Sequence, residues 1–207
     1  MRCWAWRTDG ELLSSTSAVQ VTTVTAHSLD RDVLRTVAVL DGDWCLTGLH
    51  AEAALLVGLR ATSPGGTPSA STMVERLDLA TGERHAITTI ERCNVALHDV
   101  SPDGRLAVGS AGCDDGAVLP DGEASASDLL VIDLASGAMR RMRGGAMAVP
   151  SFTPDGTSVI ATDLAPSGMP ETSRIVRIDL ESGARTTLVE GDRSLWPAVL
   201  SPEWQPR

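Results

Sequence analysis

A chain of 207 residues, 43% of them apolar, can bury one sizeable core and does not have the composition of a disordered segment. Its net charge of −10, with no basic run, excludes nucleic acid as the expected partner. All 17 basic residues are Arg, so no lysine is available for a Schiff base or a phosphate-binding loop.

No stretch approaches the roughly 18 apolar residues of a membrane-spanning segment. The N-terminal "MRCWAWRTDG" lacks the apolar stretch of a secretory signal and runs straight into strand-like sequence. With five Trp, one Phe and no Tyr, the core falls to Val, Leu, Ile and Ala.

Taken in chain order, short apolar and alternating runs predict strands and no helix. The first group covers 2–7, 11–16, 19–27 and 33–40, and the second 43–49, 53–60, 73–79 and 84–90. The third covers 94–100, 105–111, 128–134 and 138–143, and the fourth 147–152, 157–163, 173–180 and 184–189. A last run falls at 195–200. "AEAALLVGLR" could start a helix by composition, but its register with the other groups makes it a strand.

The groups repeat one another. "VSPDGRLAVGS" and "FTPDGTSVIAT" align on Asp103 and Asp155, and Asp9, Glu52 and Glu203 fall in the same column at intervals of 43, 51, 52 and 48 residues. Three residues before each acidic position stands an apolar one: Trp6, Leu49, Val100, Phe152 and Leu200. A second phrase recurs in "RLDLATGE", "VIDLASGA" and "RIDLESGA", with Asp78, Asp133 and Asp179 each four residues before a Gly. "HSLDRDV" is its looser counterpart in the first group. Asp accepting backbone amides and Gly at positive φ are hairpin-turn chemistry. The better reading of all these aspartates is therefore turn formation, not catalysis or metal binding.

Four antiparallel strands per repeat make the blade of a β-propeller. The two phrases resemble those of the TolB-like (WD-repeat-like) β-propeller family over nearly the whole chain, most strongly over 95–189. The resemblance implies an all-β propeller with the strand before Pro-Asp-Gly lining a central channel. It also implies work in protein–protein contact, in envelope complexes or as a gating domain of serine peptidases. Approximate blades fall at 1–42, 43–92, 93–145 and 146–192 of a single domain, with an extra inner strand in 193–207. Family propellers usually close with six or seven blades. About four plus one strand predict a partial propeller, either truncated or completed by another chain.

The most distinctive segment is the loop 112–128, "GCDDGAVLPDGEASASD". Its Asp114, Asp115, Asp121, Glu123 and Asp128 supply oxygen ligands suited to calcium, but without EF-hand spacing, so a solvated acidic loop is the better reading and no cofactor is expected. The four His share no ligand spacing, although His98, five residues before Asp103, is placed to face the channel. No Gly-x-Ser-x-Gly elbow, dinucleotide-binding loop or phosphate-binding loop appears.

Hairpin arithmetic brings Cys93 within one residue of direct opposition to Cys113, so a disulfide is a candidate there, with two unpaired thiols as the alternative. Cys3 and Cys45 read as core residues. The family resemblance and that disulfide weakly favour an extracytoplasmic location.

The expected function is a non-catalytic binding or scaffold module. A protein or small ligand would dock on the face of long, dissimilar loops through Asp114, Asp115, Asp121 and Glu123, with His98 as a further candidate. The alternative is a propeller enzyme of hydrolase, lactonase or lyase type, or a gating fragment of a serine peptidase.

Overall fold

The computed structural model describes residues 2–6, 11–28, 33–50, 53–61, 70–113, 118–119, 122–123, 129–142, 146–164 and 172–192. Blade 1 comprises β1 (Arg2–Trp6), β2 (Glu11–Ala18), β3 (Val21–Ser28) and β4 (Val33–Asp41). Blade 2 comprises β5 (Trp44–His50), β6 (Ala53–Ala61), β7 (Ala70–Asp78) and β8 (Arg84–Ile90). Blade 3 opens with β9 (Cys93–Val100) and β10 (Leu106–Cys113). A two-stranded hairpin follows, β11 (Val118–Leu119) and β12 (Gly122–Glu123), and the blade resumes with β13 (Leu129–Asp133) and β14 (Met139–Met142). Blade 4 comprises β15 (Ala146–Phe152), β16 (Ser158–Leu164), β17 (Thr172–Asp179) and β18 (Arg185–Asp192). All pairings are antiparallel. The architecture is an open β-propeller of four-stranded blades.

Every strand predicted up to residue 192 is present, with boundaries shifted by at most three residues. The run at 195–200 lies outside the described residues. The β11–β12 hairpin was not expected inside the 112–128 loop. β3 starts two residues late because Val19 and Gln20 turn the chain at φ 51° and 60°, which a Val-Gln pair does not advertise.

Consecutive blades pack face to face, so the burial of a strand reports its neighbours. In blade 2, Ala54, Leu55, Leu56 and Val57 are all buried; in blade 3, so are Leu129, Leu130, Val131 and Ile132. Both faces of these strands are covered. In blade 1 only alternate residues of β3 are buried (Thr22, Val24, Ala26), and in β17 of blade 4 only Val176 and Ile178. Apolar clusters join blades 1 and 2, 2 and 3, and 3 and 4, and none joins blades 1 and 4, so one face of each terminal blade lacks a neighbour among the described residues and the arc stays open. Three clusters fill the junctions, around Leu13, Leu46 and Leu56, around Val74, Val95 and Leu130, and around Leu129, Phe152 and Ile178.

Polar clamps fix each blade to the next. Thr22 Oγ1 donates to Gly42 O (2.8 Å) and accepts from Trp44 N (2.9 Å). Thr72 repeats this one blade later, donating to Cys93 O (2.8 Å) and accepting from Val95 N (2.8 Å). Between the inner strands of blades 3 and 4, Asp99 Oδ2 accepts from Ser151 Oγ (2.7 Å) and Phe152 N (2.8 Å). The Thr clamps satisfy the amides of Trp44 and Val95 where the chain enters a new sheet, and Asp99 satisfies that of Phe152 at the end of an inner strand.

The repeated phrases are turns whose carboxylates are already occupied. Asp103 Oδ1 accepts from Ser101 Oγ (2.6 Å) and Arg105 N (3.1 Å), and Asp155 Oδ1 from Thr153 Oγ1 (2.5 Å) and Thr157 N (3.0 Å). In the second turn, Asp78 accepts from the amides of Ala80 and Thr81, and Asp133 from those of Ala135 and Ser136. Asp179 accepts from the Ser182 amide and hydroxyl. The two turn types lie side by side: Leu134 N donates to Arg105 O (2.8 Å) and Leu180 N to Thr157 O (3.0 Å).

A bulge in the outer strand completes a junction. Register slips once in β4, β8 and β18, leaving Val37, Ile87 and Leu188 without a partner across the ladder. The Val37 and Ile87 carbonyls then face the next blade's turn glycine: a Cβ on Gly82 would lie 3.4 Å from Val37 O, and one on Gly137 only 2.5 Å from Ile87 O. β14 pairs with β13 without a slip, and a Cβ on Gly183 would meet nothing within 4 Å. Leu188, with no following blade over it among the described residues, is 48% exposed.

Two outcomes follow for stability. Gly137 and Gly183 share a φ of 71–72°, so G183A should cost about 1–2 kcal/mol for the left-handed backbone alone. G137A should cost about 1–3 kcal/mol more because its methyl meets the Ile87 carbonyl; equal urea midpoints for the two variants would contradict the junction described. The second outcome concerns acid. Asp155 is drawn down to about 2, first by the Thr153 hydroxyl and then by the Thr157 amide. Asp78, Asp103, Asp133 and Asp179 are also lowered, led respectively by the Thr81 amide, the Ser101 hydroxyl, the Ser136 amide and the Ser182 hydroxyl. Because the folded values lie below the unfolded ones, the unfolded chain takes up more protons as pH falls. The turns' contribution is present above about pH 4 and is lost toward pH 2. D155N should flatten the fall in stability across that window in a urea titration, and a curve parallel to that of the parent would contradict this.

Candidate functional site

The loops expected to dock a partner leave the sheets at the ends opposite these turns. Asp114, Asp115, Asp121 and Asp128 lie outside the described residues. Glu123 is placed by its backbone alone, opposite Val118 in the β11–β12 hairpin. What the structure does describe is the stem of this loop. Cys93 and Cys113 are register partners with Cα atoms 4.0 Å apart, and their sulfurs are bonded. The cross-link thus ties the residue preceding Asp114 to the start of the blade's inner strand.

Cys3 and Cys45 are not isolated core thiols as expected. They form a second disulfide with Cα atoms 5.6 Å apart, joining β1 to β5 across the first junction. Closing loops with sequence separations of 20 and 42 restricts the unfolded chain by about 3 and about 4 kcal/mol in the chain-entropy account.

The register that brings Cys93 opposite Cys113 depends on His98. Pairing slips between Val108 and Gly109, which face Asp99 and Leu97, so His98 is the extra residue of a β-bulge. Thr47 in β5 occupies the matching position, and the slip in β15 spans Val149 and Pro150. His98 is exposed, and its Nε2 lies 3.0 Å from Ser110 Oγ. Partial removal from water lowers its pKa, against the opposing pull of the Asp99 carboxylate. The imidazole is therefore neutral at pH 7, suited to hydrogen bonding or to metal ligation. Asp99 itself is committed to the clamp on blade 4, so the pair is not an acid–base couple aimed at a shared ligand. Among the described residues, no group of three or more His, Cys, Asp or Glu side chains converges on a metal-sized space.

Two clefts open at the junctions. One, of about 190 Å³, lies between blades 2 and 3 and is lined mainly by apolar groups such as Leu55, Ile87, Val100 and Leu134, with Arg76 and Arg105 at its polar edge. Both arginines stand beside turn carboxylates, Asp78 and the Asp103–Asp133 pair. The other, of about 310 Å³, lies between blades 3 and 4 and includes Arg140, Arg141 and Arg185. Sequence reasoning singled out neither, nor the clamps. The signals were a hydroxyl residue six before Asp78, a carboxylate four before Asp103, and the run "MRRMR" in an acidic chain.

No protein-family model matches the chain, and neither does any curated protein. Solved structures do. TolB from Acinetobacter baumannii is 16% identical with a TM-score of 0.63, the match covering 90% of this chain and 43% of that one. An oligogalacturonate lyase in complex with manganese is 15% identical with a TM-score of 0.64, over 88% of this chain and 51% of the lyase. The tricorn protease is 14% identical with a TM-score of 0.56, over 87% of this chain and 18% of the protease. The chain thus spans about half the length, or less, of each of these proteins. They share blades and differ in activity, and the fold of this chain is that of the TolB-like β-propellers.

Proposed function

We propose that the chain is a non-catalytic binding module. It would present the acidic 112–128 loop, together with the other long loops, to a protein or small ligand that is electropositive or a cation. One observation carries this reading: the repeated aspartates of the turn face are held by turn amides and hydroxyls, which commits that face to holding blades together. The variable face is left for recognition. The disulfide at the root of the acidic loop supports it further, because a tethered loop gives up less freedom on binding. Two disulfides also favour an oxidising, extracytoplasmic setting.

The open faces of blades 1 and 4 favour completion of the propeller by further blades. Leu188 on β18 sits where Ile87 of β8 is covered by a following blade. A second reading, a propeller enzyme of the lyase or hydrolase type, draws on the neutral, exposed His98. Metal analysis of the purified protein separates the two, since a stoichiometric divalent ion held through His98 would favour the enzyme.

The binding reading is tested with a basic peptide such as deca-lysine, followed by fluorescence anisotropy at low salt. Replacing Asp114, Asp115 and Asp121 with Asn and Glu123 with Gln should weaken binding by about tenfold or more, equivalent to 1.4 kcal/mol. The melting temperature should stay unchanged. Unaltered affinity, or protection of the Pro-Asp-Gly face by the peptide, would show that the wrong face has been chosen.

A further inference from the structure

Where the chain passes from blade 1 to 2 and from blade 2 to 3, a threonine of the third strand holds it. Thr22 stands six residues before the last residue of β3, and Thr72 six before the last of β7. Each pairs across the ladder with the outer strand, Thr22 with Leu40 and Thr72 with Ile90. The groups they hold keep a fixed distance from the next inner-strand turn. The carbonyls of Gly42 and Cys93 lie ten residues before Glu52 and Asp103, and the amides of Trp44 and Val95 eight residues before them.

Blade 4 repeats the position, and the chain beyond it repeats the groups. Ser173 stands six residues before Asp179, the last of β17, and pairs with Gly191 of β18. Counted back from Glu203, the carbonyl falls on Arg193 and the amide on Leu195. The face beside them is apolar and incompletely covered. Ile175 stands four residues before its turn aspartate, as Val74 and Leu129 do, and Ile160 five after Asp155, as Val108 does after Asp103. Val74, Leu129 and Val108 are fully buried, whereas Ile160 and Ile175 are only half-buried.

We infer that residues 193–200 seat on the open face of blade 4 as the inner strand of a further blade. Ser173 closes the clamp, its hydroxyl donating to the Arg193 carbonyl and accepting from the Leu195 amide. Leu195 and Pro197 take the columns of Val95 and Leu97, and Leu200 that of Phe152, all three buried against the preceding blade. Pro197 removes one amide, which an inner strand tolerates because one of its edges is unpaired; β15 already holds Pro150. Two residues separate β4 from β5 and β8 from β9, and the same gap leads from β18 to Leu195. That link spans at most about 11 Å, which confines the strand to the neighbouring face. The strand covers Ile160 and Ile175 and leaves Leu188 at the rim exposed. This placement rests on the reading that further blades complete the propeller, and it is independent of what the acidic loop binds.

The test is amide hydrogen exchange at Leu195 in the full, disulfide-bonded chain, read by NMR. Val95 is the internal standard, because Thr72 holds its amide in the same way. In the parent, Leu195 should exchange about tenfold or more slowly than in an unstructured peptide of residues 193–207, a measurement that needs no variant. S173A should remove most of that protection while Val95 keeps its own, which shows that the blades remain folded. S173T should restore it. Unprotected exchange at Leu195 in the parent, or an S173A variant that keeps the protection, would overturn the placement. Protection that rises with protein concentration would overturn it as well, since a second copy would then supply the strand, and would leave completion of the propeller standing.

Discussion

A twisted four-stranded sheet has two faces and can fill neither by itself, so every blade depends on the one beside it. The rest of this structure serves that packing. The apolar clusters all lie between sheets, as with Leu46 and Leu56 against Leu13 and Val24. The hydroxyls of Thr22 and Thr72 hold the chain where it passes from one sheet to the next, and the carboxylate of Asp99 ties the inner strand of blade 3 to that of blade 4. One disulfide, Cys3–Cys45, spans a junction outright. Burial of a large aliphatic side chain contributes about 1.5–3 kcal/mol, so a blade with one open face gives up much of what a middle blade gains.

This dependence divides the molecule by role. The turn face uses its charges locally: each repeated aspartate has its lone pairs directed at nearby amides and hydroxyls, and its lowered pKa is the electrostatic record of those bonds. At the other end the stems diverge in kind. Blade 1 closes with the two-residue Val19–Gln20 turn, while blade 3 inserts a hairpin behind a disulfide. A scaffold held by repeated turns at one end tolerates variety at the other. Proteins as unlike as TolB, an oligogalacturonate lyase and the tricorn protease share this fold.

Most of the fold was legible because its determinants are local. Pro-Asp-Gly and Asp-x-x-x-Gly announce turns through groups within five residues of one another, and the strands between them follow. The number of neighbours was not legible: "LLVID" in blade 3 is buried on both faces, but so are Leu13, Ser14 and Ser15 of terminal blade 1, so strand pattern alone does not report it. The Cys93–Cys113 geometry could be approached by counting across a hairpin, with the offset absorbed by the bulge at His98. The Cys3–Cys45 bond could not, because β1 and β5 belong to different sheets and no hairpin relates them. The clamp at Asp99 was hidden for the same reason: its partners, Ser151 and Phe152, lie 52 and 53 residues away in another blade. Cross-blade contacts depend on how sheets stack, which no single repeat encodes.

The central claim is that blade order is set by cover from the neighbouring blade. It is tested most directly by amide hydrogen exchange, read strand by strand with both disulfides intact. β8 and β18 are both outer strands with the same bulge, but among the described residues only β8 has a following blade over it. The account predicts that β8 amides paired with β7 exchange markedly more slowly than β18 amides paired with β17, and that β6 and β13 are slowest of all. Equal protection of β8 and β18 would contradict it.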